Sequence, residues 1–83
     1  MTKTVVIYSK KDCKYCVKVK QYLDLKNHSY EVIDLDLEPQ RRQEAIDISS
    51  ATTLPVTLVK DADGEILEVV VGFNLQKLAP ALA

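Results

Sequence analysis

Residues 4–16 read TVVIYSKKDCKYC. The first six, Thr4 to Ser9, are a β-branched and almost unbroken apolar run, the pattern of a short strand buried on both faces. Three charged residues follow, and then Cys13 and Cys16, the only cysteines in the chain. From Cys13 onward the spacing turns helical. Cys16, Val19 and Leu23 fall on one face, with Lys14, Lys18 and Lys20 largely elsewhere, and Asn27 and His28 end the helix. A strand feeding a C-x-x-C pair at a helix start is the arrangement on which the fold turns.

Residues three apart on a helix lie on one side, so the two sulfurs can meet without backbone rearrangement. A disulfide there closes a very small loop and constrains little of the unfolded chain, so it serves poorly as a staple. Its use is to open and close. The unpaired N–H groups of the helix start and its dipole favour a thiolate at Cys13, and Lys10, Lys11 and Lys14 add positive charge. Such surroundings lower a cysteine pKa from about 8.5 into a range of roughly 3.5–7.5. Asp12 works the other way. Cys16, one turn deeper on the apolar face, is expected to be less exposed and mostly protonated. Cys13 is then the attacking thiol, forming a mixed disulfide with substrate, and Cys16 the resolving thiol. A pair of small buried cysteines, a zinc site or a cluster-binding role are the alternatives. Tetrahedral zinc usually takes four protein ligands, and the only histidine, His28, lies well away; no metal site is expected.

Outward from this segment, YEVIDLDL (Tyr30 to Leu37) reads as a strand with Val32, Ile33 and Leu35 supplying apolar side chains. Pro39 is placed as the first residue of a second helix, QRRQEAIDISS its body, with Ala45 and Ile46 inward. PVTLV (Pro55 to Val59) and EILEVVV (Glu65 to Val71) are two further strands, joined through an Asp-Gly turn as an antiparallel hairpin. Leu75, Leu78, Ala79 and Leu82 form a helical stripe, with Asn74 as its N-cap. Pro80 inside it predicts a kink or a frayed end. The order β-α-β-α-β-β-α predicts one domain over residues 1–83: a mixed four-stranded α/β sheet, the first crossover parallel, with helices on both faces.

The chain has 83 residues, 47% of them hydrophobic and 28% charged, with a net charge of −1. That balance belongs to an ordinary globular domain, not to a disordered chain. With no basic stripe running through it, nucleic acid is not expected as a partner. No stretch reaches the roughly 20 apolar residues that span a bilayer, so no membrane partner is expected either. The N-terminus meets charge within a few residues and lacks a signal-peptide core, and two cysteines do not make a secreted disulfide framework. A cytoplasmic monomer is the expectation.

With strand, C-x-x-C, helix and the later TLP of Thr53 to Pro55, the chain resembles the thioredoxin superfamily, specifically its small glutaredoxin and NrdH-redoxin branches. The resemblance implies a thioredoxin fold and a dithiol–disulfide oxidoreductase. Lys10 matches a lysine that in glutaredoxins approaches the active-site thiol and glutathione. TLP matches a segment whose proline is cis and faces the cysteines, which implies a cis Pro55 and a Leu54 backbone available to an incoming substrate strand.

Two branches compete within the resemblance. CKYC shares Tyr15 with the glutaredoxin C-P-Y-C, although Lys14 stands in place of the proline. Glutaredoxins hold glutathione with a G-G-x-D-D-like segment before the last helix; here VVVGFNLQKL has one glycine and no aspartate. GFNLQKL is similar to the ending of NrdH-redoxins, which implies thioredoxin reductase as electron source and ribonucleotide reductase as a target. CKYC and the Val70-Val71 pair depart from that branch's pattern. The expected substrate-facing residues are therefore Tyr15, Leu54, Pro55, Gly72 and Phe73. Tyr15 stacks on substrate or shields the disulfide, Gly72 permits a tight turn, and Phe73 is a docking anchor or a core residue. The Cys13–Cys16 disulfide is the electron carrier in place of a bound cofactor, protein disulfides are the substrates, and glutathione is the alternative reductant. An iron–sulfur carrier or redox-controlled scaffold is the alternative of another class.

Overall fold

The computed structural model describes residues 3–82. Met1, Thr2 and Ala83, which the one-domain expectation takes in, lie outside the described residues. The elements are β1 (Thr4–Ser9), α1 (Lys14–Leu25), β2 (Tyr30–Asp34), a 3₁₀ turn (Pro39–Arg41), α2 (Arg42–Ser49), β3 (Val56–Lys60), β4 (Ile66–Val71) and α3 (Leu75–Leu82). One sheet runs in the order β2-β1-β3-β4. β1 is parallel to β2 and antiparallel to β3, and β3 and β4 form the antiparallel hairpin.

Strand alternation sends neighbouring residues to opposite faces, and both faces are covered. On one, Val5, Ile7, Val59 and Val70 pack with Val19 and Leu23 of α1 and Leu78 of α3. On the other, Val6, Tyr8, Ile33, Val56 and Leu58 pack with Ala45 of α2. β1 contributes to both, which is why it reads as a continuous apolar run. Tyr8, buried on the α2 face, donates its phenol to Glu44, and Glu44 also accepts from Arg41 at 3.0 Å. Burial first, and the Glu44 carboxylate second, push the Tyr8 phenol up to about 12.

Helix ends follow local chemistry. Asn27 takes a left-handed conformation (φ 53°), with His28 N–H donating to Leu23 O and Asn27 N–H to Asp24 O, a Schellman stop. β2 ends at Asp34, three residues short of the expected Leu37. The Asp34 side chain accepts the Asp36 N–H at 2.9 Å, and its carbonyl accepts from Leu37 and Glu38. An Asx turn thus takes the chain out of the ladder although the apolar alternation continues. Leu35 remains buried, Leu37 lies 80% exposed, and Val32 faces outward on this edge strand. Pro39 opens a 3₁₀ turn instead of the α-helix itself, which begins at Arg42; Ala45 is buried and Ile46 only half so. α3 continues through Pro80 to Leu82, so the expected fraying at Pro80 does not occur. Proline removes one N–H, but Ala81 and Leu82 still pack on the core, and Lys3 Nζ holds the Ala81 carbonyl at 2.7 Å. No helix among the described residues is long and apolar enough to cross a membrane.

Candidate active site

Cys13 is the N-cap of α1, with extended φ and ψ, and the helix starts at Lys14. The Cys16 N–H donates to Cys13 Sγ at 3.3 Å, so one of the orphan amides of the helix start is spent on that sulfur. The two residues form a disulfide with their Cα atoms 5.2 Å apart. Cys13 is 9% exposed and Cys16 1%. The order of exposure is the expected one, though Cys13 is more enclosed than its charged flank suggests. Lys10, Lys11, Asp12 and Lys14 around it are all exposed. The loop is set by Asp12, in a left-handed conformation (φ 55°), and by the Lys11 N–H, which donates to Asp36 Oδ2 at 2.6 Å.

The sheet register decides what stands at the same end as the cysteines. Tyr8 pairs with Val56, and Val56 with Val71. The end of β1, the start of β3 and the end of β4 therefore lie side by side. Pro55, just before β3, and Gly72, just after β4, are joined by a hydrogen bond from Gly72 N–H to Pro55 O at 2.8 Å. The Leu54–Pro55 peptide is cis, as the resemblance implied. Pro55 is buried, and the Leu54 side chain packs on the α2-side core. Gly72 has a φ of 74°, a left-handed turn that glycine adopts without penalty. Asn74 caps α3 by accepting the Gln76 N–H at 3.1 Å.

Phe73 packs against the α1–α3 core and also carries a contact that sequence reading missed. Lys18 Nζ lies 5.5 Å from the Tyr15 ring centroid and 5.9 Å from that of Phe73. The ammonium bridges a ring beside the cysteines to a ring at the start of α3, some sixty residues on. The Tyr15–Lys18 spacing of three was the available signal; the Phe73 half needed the fold. Tyr15 itself is 54% exposed. Lys10 shares an open cleft of about 630 Å³ with Cys13 and Cys16. The expected residues thus fall into two groups, Lys10 beside the cysteines on one flank, and Tyr15, Pro55, Gly72 and Phe73 linked through Lys18 and the Pro55–Gly72 bond.

A glutaredoxin family model matches residues 5–63. The chain is 43% identical over 42 residues to glutaredoxin 1 of Rickettsia typhi, covering 51% of this chain and 40% of that one. It is 37% identical over 51 residues to glutaredoxin 3 of Escherichia coli, 61% of each chain. The matched segments therefore span between two fifths and three fifths of these relatives. Among solved structures, a thioredoxin-like protein superimposes with a TM-score of 0.77 at 30% identity, over 95% of this chain and 99% of that one. The NrdH-redoxin of Escherichia coli gives 0.69 at 25% identity, over 86% and 84%. With the family match over most of its length, a thioredoxin-like sheet and a cysteine pair capping its first helix, the chain belongs to the glutaredoxin family.

Proposed function

We propose that this protein is a cytoplasmic dithiol–disulfide oxidoreductase that reduces protein disulfides through Cys13 and Cys16. The carrying observation is the Cys13–Cys16 disulfide at the start of α1, with the Cys16 N–H on Cys13 Sγ. In the reduced protein the Cys13 thiolate attacks one sulfur of a substrate disulfide. The substrate S–S bond breaks, and the departing sulfur leaves as a thiolate that takes up a proton. Cys16 then gives up its proton and attacks Cys13 Sγ, which expels the second substrate thiolate and closes the Cys13–Cys16 bond. Two electrons pass to the substrate, and an external reductant restores the dithiol. Lys10 and the helix N-terminus stabilise the thiolate, while Leu54, Pro55, Gly72, Phe73 and Tyr15 form the edge that receives the substrate chain.

Of the two electron sources, thioredoxin reductase is favoured, with ribonucleotide reductase as a target. Residues 69–78 hold no carboxylate for a glutathione amine, and Phe73 is engaged by the core and Lys18. A similar structure, the NrdH-redoxin of Escherichia coli, is described as having a thioredoxin-like activity profile. The glutaredoxin relatives keep glutathione as the second reading. A coupled NADPH-oxidation assay on the oxidised protein separates them. Turnover with thioredoxin reductase alone supports the first reading, and turnover only with glutathione and glutathione reductase supports the second. A coloured preparation inactive with both points to a cluster carrier instead.

A further inference from the structure

The cleft that Lys10 shares with the cysteines lies on the side of α1 toward the end of β2, and none of Tyr15, Leu54, Pro55, Gly72 or Phe73 lines it. Its charged lining is Lys10, Lys11, Lys14 and Lys20 against Asp12 and Asp34. Asp34 is already an acceptor for the Asp36 N–H. Among the described residues none of these four lysines forms an ion pair with a carboxylate. The whole chain carries a net charge of −1, yet residues 1–26 hold seven of its eleven basic residues and two of its twelve acidic ones. The positive end of the α1 dipole adds to the same field. A concave, lysine-rich surface lined in part by Cys13 and Cys16 concentrates anionic groups beside the reacting bond.

On the oxidoreductase reading above, we infer that this cleft is a second substrate subsite, which seats an acidic segment next to the scissile disulfide of a protein substrate. Its size suits a few residues of peptide, and its four ammonium groups sit on flexible stems that reach aspartate or glutamate carboxylates as point charges. The exchange is the one already described; the subsite selects which disulfide is brought to Cys13.

The test uses three peptides with the same intramolecular disulfide, flanked by aspartate and glutamate, by serine and glutamine, or by lysine and arginine. The prereduced protein is mixed with each, and the second-order rate is read by acid quench and chromatography. At low salt the acidic peptide is expected to react about tenfold faster than the neutral one and the basic peptide slowest. The preference should shrink toward one at about 1 M NaCl, where the screening length falls to about 3 Å. Replacing Lys11, Lys14 and Lys20 together by glutamine should cut the acidic-to-neutral ratio at least threefold, and Lys14→Glu alone should lower it too. Any change in Cys13 nucleophilicity scales both peptides alike, so the ratio reads the subsite alone. Equal rates for acidic and neutral peptides, or a ratio unmoved by the variants, overturns the subsite and leaves the oxidoreductase reading standing. No reduction of any peptide overturns that reading and the subsite with it.

Discussion

The Cys16 backbone N–H donates to Cys13 Sγ at 3.3 Å, so the inner cysteine's own amide caps the sulfur of the outer one. Cys13 is 9% exposed and Cys16 1%, the order that the proposed roles of attacking and resolving thiol require. Cys13→Ser is expected to drop disulfide reduction to the uncatalysed rate, because no thiolate remains to attack. Cys16→Ser should instead accumulate a mixed disulfide between Cys13 and substrate, seen as an added mass that dithiothreitol removes. Full activity in Cys13→Ser would contradict the assignment.

If the Cys16 N–H keeps its hydrogen bond to Cys13 Sγ once the disulfide opens, that bond and the helix dipole would favour a thiolate at Cys13. Alkylation by iodoacetamide as a function of pH should show Cys13 titrating below the ordinary thiol range. Lys10→Gln should move that titration upward, since a nearby cation favours the thiolate. An unchanged profile would remove Lys10 from thiolate stabilisation.

Tyr8, in the α2-side core, joins β1 to α2 through Glu44, which lies at the exposed rim of that core. Tyr8→Phe is expected to cost about 1–2 kcal/mol in urea denaturation, toward the lower end for a hydrogen bond to a charged acceptor because Glu44 is exposed to solvent. The folded Tyr8 phenol is raised to about 12 from an unfolded value of 10.0. Its contribution is therefore complete below pH 10 and lost as pH rises through about 12. Wild type should lose stability over that window more steeply than Tyr8→Phe. Glu44 is held below the usual carboxylate range by the Tyr8 phenol and by Arg41, so its own contribution fades in acid.

Thr57 is fully buried, and its Oγ1 has no hydrogen-bond partner among the described residues. It lies opposite Ile7 and Val70, both in the α1–α3 core. Valine has nearly the same shape without the hydroxyl. Thr57→Val is expected to stabilise by about 1 kcal/mol, since an unsatisfied buried polar group costs ~1–3 kcal/mol. For a domain of this size that is a Tm rise of about 4–8 °C in calorimetry. A lower Tm would mean that the hydroxyl has a partner.

Lys18 lies over two rings, and Lys18→Met keeps most of its packing while removing the charge. The expected loss is about 0.5–1 kcal/mol, the range for an exposed cation–π contact. A double-mutant cycle with Tyr15→Leu should return a coupling of a few tenths of a kcal/mol or more. Zero coupling would leave the contact as proximity only.

Properties decided within one or two turns of chain were legible in the residues. β1 runs from Thr4 to Ser9 as read, because its unbroken β-branched run suits a strand covered on both faces. The cysteine spacing brought two sulfurs together, and Asn27 stopped α1 with His28. Where side-chain hydrogen bonding competed with the apolar pattern, the reading overshot: the Asp34 carboxylate ended β2 while the alternation ran on to Leu37. At Pro80 the local penalty is real but smaller than the packing of Ala81 and Leu82, so the helix continued.

Composition and spacing by themselves determined a cysteine pair at a strand–helix junction and the order of elements around it. Which distant segments join that pair depends on how the strands align in the folded sheet. The β1–β3–β4 register sets Pro55 and Gly72 beside the end of β1, Lys18 meets Phe73 across α1 and α3, and the end of β2 closes a lysine-lined cleft. Register is fixed by many weak contacts summed along whole strands, and a one-residue slip would turn every side chain to the other face. No short stretch of sequence carries that sum.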